Sequence, residues 1–127
     1  MFIFLFIMTM LVPLTLLLFG LHWKTHVPKD INSFYGYRTT MSMKNKDTWE
    51  FAHRYTAKIW VWCGIVSAIL SAIPLVIFKD SKNFEQIDII IITVQTFLIC
   101  LTIIPTEIAL KKYFDKNGLP KEKTKLN

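Results

Sequence analysis

Residues 2–23 read FIFLFIMTMLVPLTLLLFGLHW, without a single Asp, Glu, Lys or Arg. At about 1.5 Å of rise per residue, a helix of about twenty residues covers the roughly 30 Å hydrocarbon core of a bilayer. A secretory signal peptide would show a basic start, a shorter apolar core and small residues before a cleavage point. No basic side chain precedes this block, and Leu16-Leu17-Leu18-Phe19-Gly20-Leu21 offers no A-x-A-like site. An uncleaved span is therefore expected. Pro13 falls mid-span, where it should kink the helix, with Thr9 and Thr15 close enough to satisfy the carbonyl it frees.

Two further blocks repeat the pattern. The second runs over 59–78 and is closed by Lys79-Asp80, with Trp60 and Trp62 at its entry, as aromatic residues stand at headgroup level. Gly64, Ala68 and Ala72 recur at four-residue spacing, as do Ser67 and Ser71, which lets helix backbones approach closely in lipid. Pro74 is a second expected kink. The third block covers 87–104; Gln95 inside it is costly in hydrocarbon unless bonded, and so should face another helix. Hydrophobic residues make up 53% of the 127 positions, and they are gathered into these blocks, as lipid-solvated helices require. The expected architecture is all-α: one membrane domain over 1–127, with spans at about 2–23, 59–78 and 87–104.

The net charge of +6 lies outside the first block. Seven Lys/Arg occupy 24–58, two occupy 79–86 and six occupy 105–127. Basic segments stay on the cytoplasmic side. This gives a cytoplasmic loop 24–58, an extracellular loop 79–86 and a cytoplasmic tail 105–127, with the N-terminus outside. Juxtamembrane Lys and Arg meet anionic lipid headgroups, so membrane lipids are the partners this charge implies. No recognition motif accompanies it that would indicate direct nucleic-acid binding. Cys63 and Cys100 each sit inside an apolar block without a CxxC or Cys/His pattern, and read as small apolar fillers.

In the long connector, Asp47 and Glu50 have capping-box spacing. From Thr48 the helical pattern runs without Pro or Gly to Gly64, which suggests one helix entering the membrane. Trp49, Phe51, Tyr55 and Trp60 would be its interfacial aromatics. Near the other end, Gly118 in Asp115-Lys116-Asn117-Gly118 reads as a helix C-terminal stop.

Catalytic signals are missing. His22 and His26 are four apart, but a third metal ligand is not close in sequence. There is no G-x-S-x-G elbow and no phosphate-cradling Gly loop. No metal, cofactor or enzymatic activity is expected. The distinctive stretch is Phe34-Tyr35-Gly36-Tyr37-Arg38-Thr39-Thr40, followed by Trp49 and Arg54. Arg38 and Arg54 are the only two Arg against thirteen Lys, which points to planar, bidentate pairing with carboxylate or phosphate. Glu107, just past Pro105 on the same membrane side, is the natural carboxylate for Arg38, with Arg54 or a lipid phosphate as other partners.

Gly36-Tyr37-Arg38-Thr39, nine residues and then Trp49 and Arg54 resemble the G-x-R-T…W…R pattern of the SdpI family. Pro105-Thr106-Glu107 and Tyr113-Phe114-Asp115-Lys116-Asn117-Gly118 are similar as well. The resemblance runs from about Tyr35 to Lys121 and implies a functional motif of Gly36, Arg38, Thr39, Trp49, Arg54, Glu107, Asp115 and Gly118. Longer members carry additional N-terminal spans. What the family implies is immunity of a bacterial cell, at the cell membrane, to a secreted membrane-active toxic peptide. In some members it also implies signalling by holding a transcriptional repressor at the membrane. A different reading of the same residues is a small enzyme acting on lipid headgroups, with Glu107 as base.

Overall fold

A computed structural model describes residues 1–121. Four helices account for most of it: α1 (Phe2–Trp23), α2 (Lys46–Ile77), α3 (Phe84–Leu101) and α4 (Ile103–Tyr113). There is no strand among the described residues, and three stretches are long and apolar enough to cross a membrane: Phe2–Trp23, Lys46–Ile77 and Phe84–Tyr113. The last residues of the expected tail, including Lys123 and Lys125, lie outside the described residues.

α2 has 32 residues, or about 48 Å of helix, which exceeds the hydrocarbon thickness by several turns. Its charged side chains, Lys46, Asp47, Glu50, Arg54 and Lys58, all lie in its N-terminal turns, the part of the helix that carries the contacts with the connector. The cap that starts it lies two residues earlier than the sequence suggested. Asn45 Oδ1 accepts from Thr48 N at 2.9 Å, and Thr48 Oγ1 accepts from Asn45 N at 3.1 Å. Asn45 and Thr48 thus make the reciprocal box expected of Asp47 and Glu50. Glu50 turns instead to Arg54, at 2.9 Å.

The third apolar block is two helices. Pro105 has no N–H for the carbonyl of Leu101, so the ladder breaks at Thr102 and resumes as α4. At Pro13 the helix continues, and neither threonine serves the carbonyl of residue 9. Thr15 donates to Leu11 O, while Thr9 donates to Asp88 on α3.

α1 and α2 are held closest by two glycines. A Cβ on Gly64 would stand 2.9 Å from Leu17 N and 3.0 Å from Pro13 O; one on Gly20 would stand 2.9 Å from Ala57 O. Ala68 and Ala72 are half-buried, while Ser67 and Ser71 are buried. Buried polar groups pair across helices, since nothing apolar can satisfy them. Gln95 Nε2 donates to Ser71 at 2.8 Å, Trp60 Nε1 donates to Thr102 at 3.1 Å, and the Thr56 and Thr106 hydroxyls lie 2.8 Å apart. These pairs tie α2 to α3 and α4.

Candidate functional site

The connector between α1 and α2 folds back over the end of the bundle, where it meets α4 and the turn beyond it. Gly36 has φ +107, a conformation that suits a residue without Cβ. It also lies against His53: an added Cβ would be 2.5 Å from His53 Nε2. The chain then runs out as Tyr37-Arg38-Thr39, and alternation of side chains decides what each can reach.

Tyr37 and Thr39 point the same way, into the protein. The Tyr37 hydroxyl donates to Glu107 Oε2 at 2.7 Å, and the Thr39 hydroxyl donates to the same oxygen at 2.7 Å. Arg38, between them, is exposed and donates to the Ser33 carbonyl within the connector. The Arg38–Glu107 ion pair expected from the sequence is therefore not made. Glu107 does fasten the connector to the third membrane segment, but through two neutral hydroxyls. Among the described residues the one ion pair is Arg54–Glu50.

Tyr37 is buried with Ala52, Leu110 and Phe114, and Met41 and Phe51 pack against that cluster. Its burial, reinforced by the Glu107 carboxylate, pushes the phenol well above the ordinary tyrosine value. It therefore stays a protonated donor through the physiological range. Its backbone N–H donates to His53 Nε2 at 2.9 Å, while His53 Nδ1 lies 2.8 Å from Trp49 O. Those two partners assign the proton to Nδ1 and leave Nε2 bare as the acceptor. His53 is fully buried, with ring centroids 4.4 Å from Trp49 and 4.8 Å from Trp23.

Trp49 is fully buried too, and donates from Nε1 to Pro28 O at 2.8 Å. It is thus part of the core under the connector rather than an aromatic anchor facing lipid. The reason is its place in the first turn of α2, where it roofs His53. Arg54 donates to the Lys24 carbonyl at 2.7 Å, at the C-terminus of α1, where a cation suits the exposed carbonyls. His22 and His26 stack with ring centroids 5.2 Å apart on that same end.

The second half of the motif docks on the helix cap. α4 ends at Tyr113, and Phe114 caps it in extended conformation. Gly118 therefore does not stop the helix; it closes the turn that follows, with φ +82. Asp115 Oδ1 accepts from Asn117 N at 2.8 Å and Leu119 N at 2.9 Å, which fixes that turn. The Gly118 carbonyl then accepts from Asn45 Nδ2 at 2.7 Å. One side chain, Asn45, caps α2 with its oxygen and holds the post-α4 turn with its nitrogen.

The structure thus gathers Gly36, Thr39, Trp49, Glu107, Asp115 and Gly118 at one end of the bundle, with Arg38 and Arg54 on its outer surface. Sequence reasoning missed Tyr37 and His53 as hubs and Asn45 as the link. The period-two alternation around Arg38 was the available signal for Tyr37.

The profile of the SdpI/YfhL protein family matches residues 29–106. A curated relative, "Uncharacterized protein YfhL" of Bacillus subtilis (strain 168), is 45% identical over 49 residues. That match covers 39% of this chain and 44% of the relative, so the chain aligns with less than half of that protein's length. No solved structure matches.

Proposed function

The chain belongs to the SdpI/YfhL protein family, and from that premise we propose that it is a membrane immunity protein. It protects the cell that makes it from a secreted, membrane-active toxic peptide. The observation that carries this reading is the coincidence of the family match with a built site. The matched segment includes Gly36 to Thr39 and both hydroxyls that hold Glu107, in a protein with three membrane-length apolar helices. The protection is by binding, not by chemistry. The spans recognise an apolar or amphipathic peptide within the bilayer, and the Glu107 cluster holds the helix arrangement that does so.

Expression in a sensitive bacterium should raise survival against at least one peptide in a panel of membrane-active toxins, with the peptide recovered intact. Cleaved peptide in protected cultures would point to a protease instead. No protection across the panel would favour the other role, an anchor that recruits a cytoplasmic partner such as a repressor.

The reading places the connector and the chain's end in the cytoplasm and the α2–α3 turn outside, in the bacterial cell membrane. The motive is the seven and six basic residues on either side of a loop with two. In a background without Cys63 and Cys100, Ser81→Cys should react with an impermeant thiol reagent in intact cells. Lys44→Cys and Lys123→Cys should react only after lysis. The reverse pattern would invert the topology.

A further inference from the structure

We propose that the cleft beside Glu107 binds the headgroup of an amino-phospholipid, a phosphate joined to a primary ammonium. The cleft has a volume of about 470 Å³ and is lined by Thr40, Lys44, Glu107, Lys111, Asp115 and Lys116, among others. It presents both signs of charge at close quarters. Glu107 commits one oxygen, Oε2, to the Tyr37 and Thr39 hydroxyls, and it has no cation partner among the described residues. Four lysines, Lys44, Lys111, Lys116 and Lys121, share the cleft with it, and none forms an ion pair with it among the described residues. A carboxylate fixed by neutral donors, beside ammoniums that form no ion pair among the described residues, is complementary to a ligand that itself carries both charges. The lysines take the phosphate, and Glu107 takes an N–H donor.

The position on α4 favours a lipid over a soluble ligand. Ile103, Ile104 and Ile108 are exposed, and the next turn carries exposed Lys111 and Lys112. That change from bare apolar to basic along one helix marks the boundary between hydrocarbon and headgroups. A lipid seated there would lay an acyl chain along the isoleucines with its headgroup level with Glu107. Choline headgroups satisfy the lysines but have no N–H for the carboxylate. Glycerol headgroups carry no cation.

The test is native mass spectrometry of the full chain in detergent, titrated with phosphatidylethanolamine, phosphatidylcholine and phosphatidylglycerol, and separately with soluble phosphoethanolamine. Phosphatidylethanolamine should bind about tenfold more tightly than phosphatidylcholine, the worth of one charge-assisted hydrogen bond. Glu107→Gln should erase that preference while retaining an acceptor for Tyr37 and Thr39. Lys111→Ala with Lys116→Ala, both at exposed positions, should weaken all three lipids without reordering the ethanolamine–choline ranking. Equal binding of the three lipids, or a preference that survives Glu107→Gln, would overturn the proposal. Tight binding of phosphoethanolamine with no lipid retained would overturn it as well, by making the ligand soluble. The outcome is independent of the protection assay, because lipid binding is read directly.

Discussion

Glu107→Ala should destabilise the protein by about 3 kcal/mol and abolish protection, whereas Arg38→Ala should change stability by no more than about 0.5 kcal/mol. The contrast follows from which side chains reach the carboxylate. Hydrogen bonds to a charged group contribute about 1.5–3 kcal/mol each, and Glu107 accepts two, from Tyr37 and Thr39. Its partial exposure argues for the lower part of their sum. The alanine variant also strands the Tyr37 hydroxyl, whose one remaining acceptor is the Ile103 carbonyl at 3.3 Å. Arg38 reaches only the Ser33 carbonyl from an exposed position, and substitutions at such sites are usually near neutral. Unfolding in detergent micelles, followed by circular dichroism, measures both variants. An Arg38→Ala variant as unstable as Glu107→Ala would contradict the assignment.

A comparable loss, about 3 kcal/mol, is expected for Gly36→Ala, from two separable causes. An L side chain in the left-handed region costs roughly 1–2 kcal/mol, and Gly36 sits at φ +107. The new methyl would also stand 2.5 Å from His53 Nε2, the atom that accepts from Tyr37 N. His53 cannot yield cheaply, because its ring is packed against Trp23 and Trp49. The steric part is relieved if the imidazole is removed. The double variant Gly36→Ala with His53→Ala should therefore lose less than the sum of the two single variants. Strict additivity would locate the whole cost in the backbone, and a Gly36→Ala variant as stable as the parent would remove both arguments.

Much of the fold was legible because lipid imposes a simple rule: apolar blocks about twenty residues long with little or no charge are read as helices. Each of the blocks at 2–23, 59–78 and 87–104 overlaps one of the three membrane-length segments, the second and third of which are longer than the blocks, Lys46–Ile77 and Phe84–Tyr113. The extension of α2 back to Lys46 was foreshadowed by the unbroken pattern from Thr48. Boundaries inside the connector were harder. Asp47 and Glu50 had the spacing of a cap, and only the docking of Gly118 on Asn45 shows why the helix starts where it does. That contact joins residues 73 apart, which no local pattern reveals.

The site was half legible for the same reason. Glu107 was identified as the anchor of the connector, but charge suggested Arg38 as its partner. Opposite charge is visible in a sequence, whereas the direction of a side chain on an irregular segment is not. With Gly36 setting the backbone, residues 37 and 39 turn inward and 38 turns out, so two hydroxyls take the place a guanidinium was expected to fill. His53 had no motif around it, because its role is to receive one backbone N–H from a loop folded above it.

The central claim is that Glu107 is held by Tyr37 and not by Arg38, and paired double-mutant cycles test it most directly. Stability is measured for Tyr37→Phe, Arg38→Ala, Glu107→Ala and the two combinations with Glu107. A coupling energy of about 1.5 kcal/mol or more is expected between Tyr37 and Glu107, with a value within about 0.5 kcal/mol of zero between Arg38 and Glu107. Strong coupling of Arg38 to Glu107, with Tyr37 uncoupled, would contradict the account.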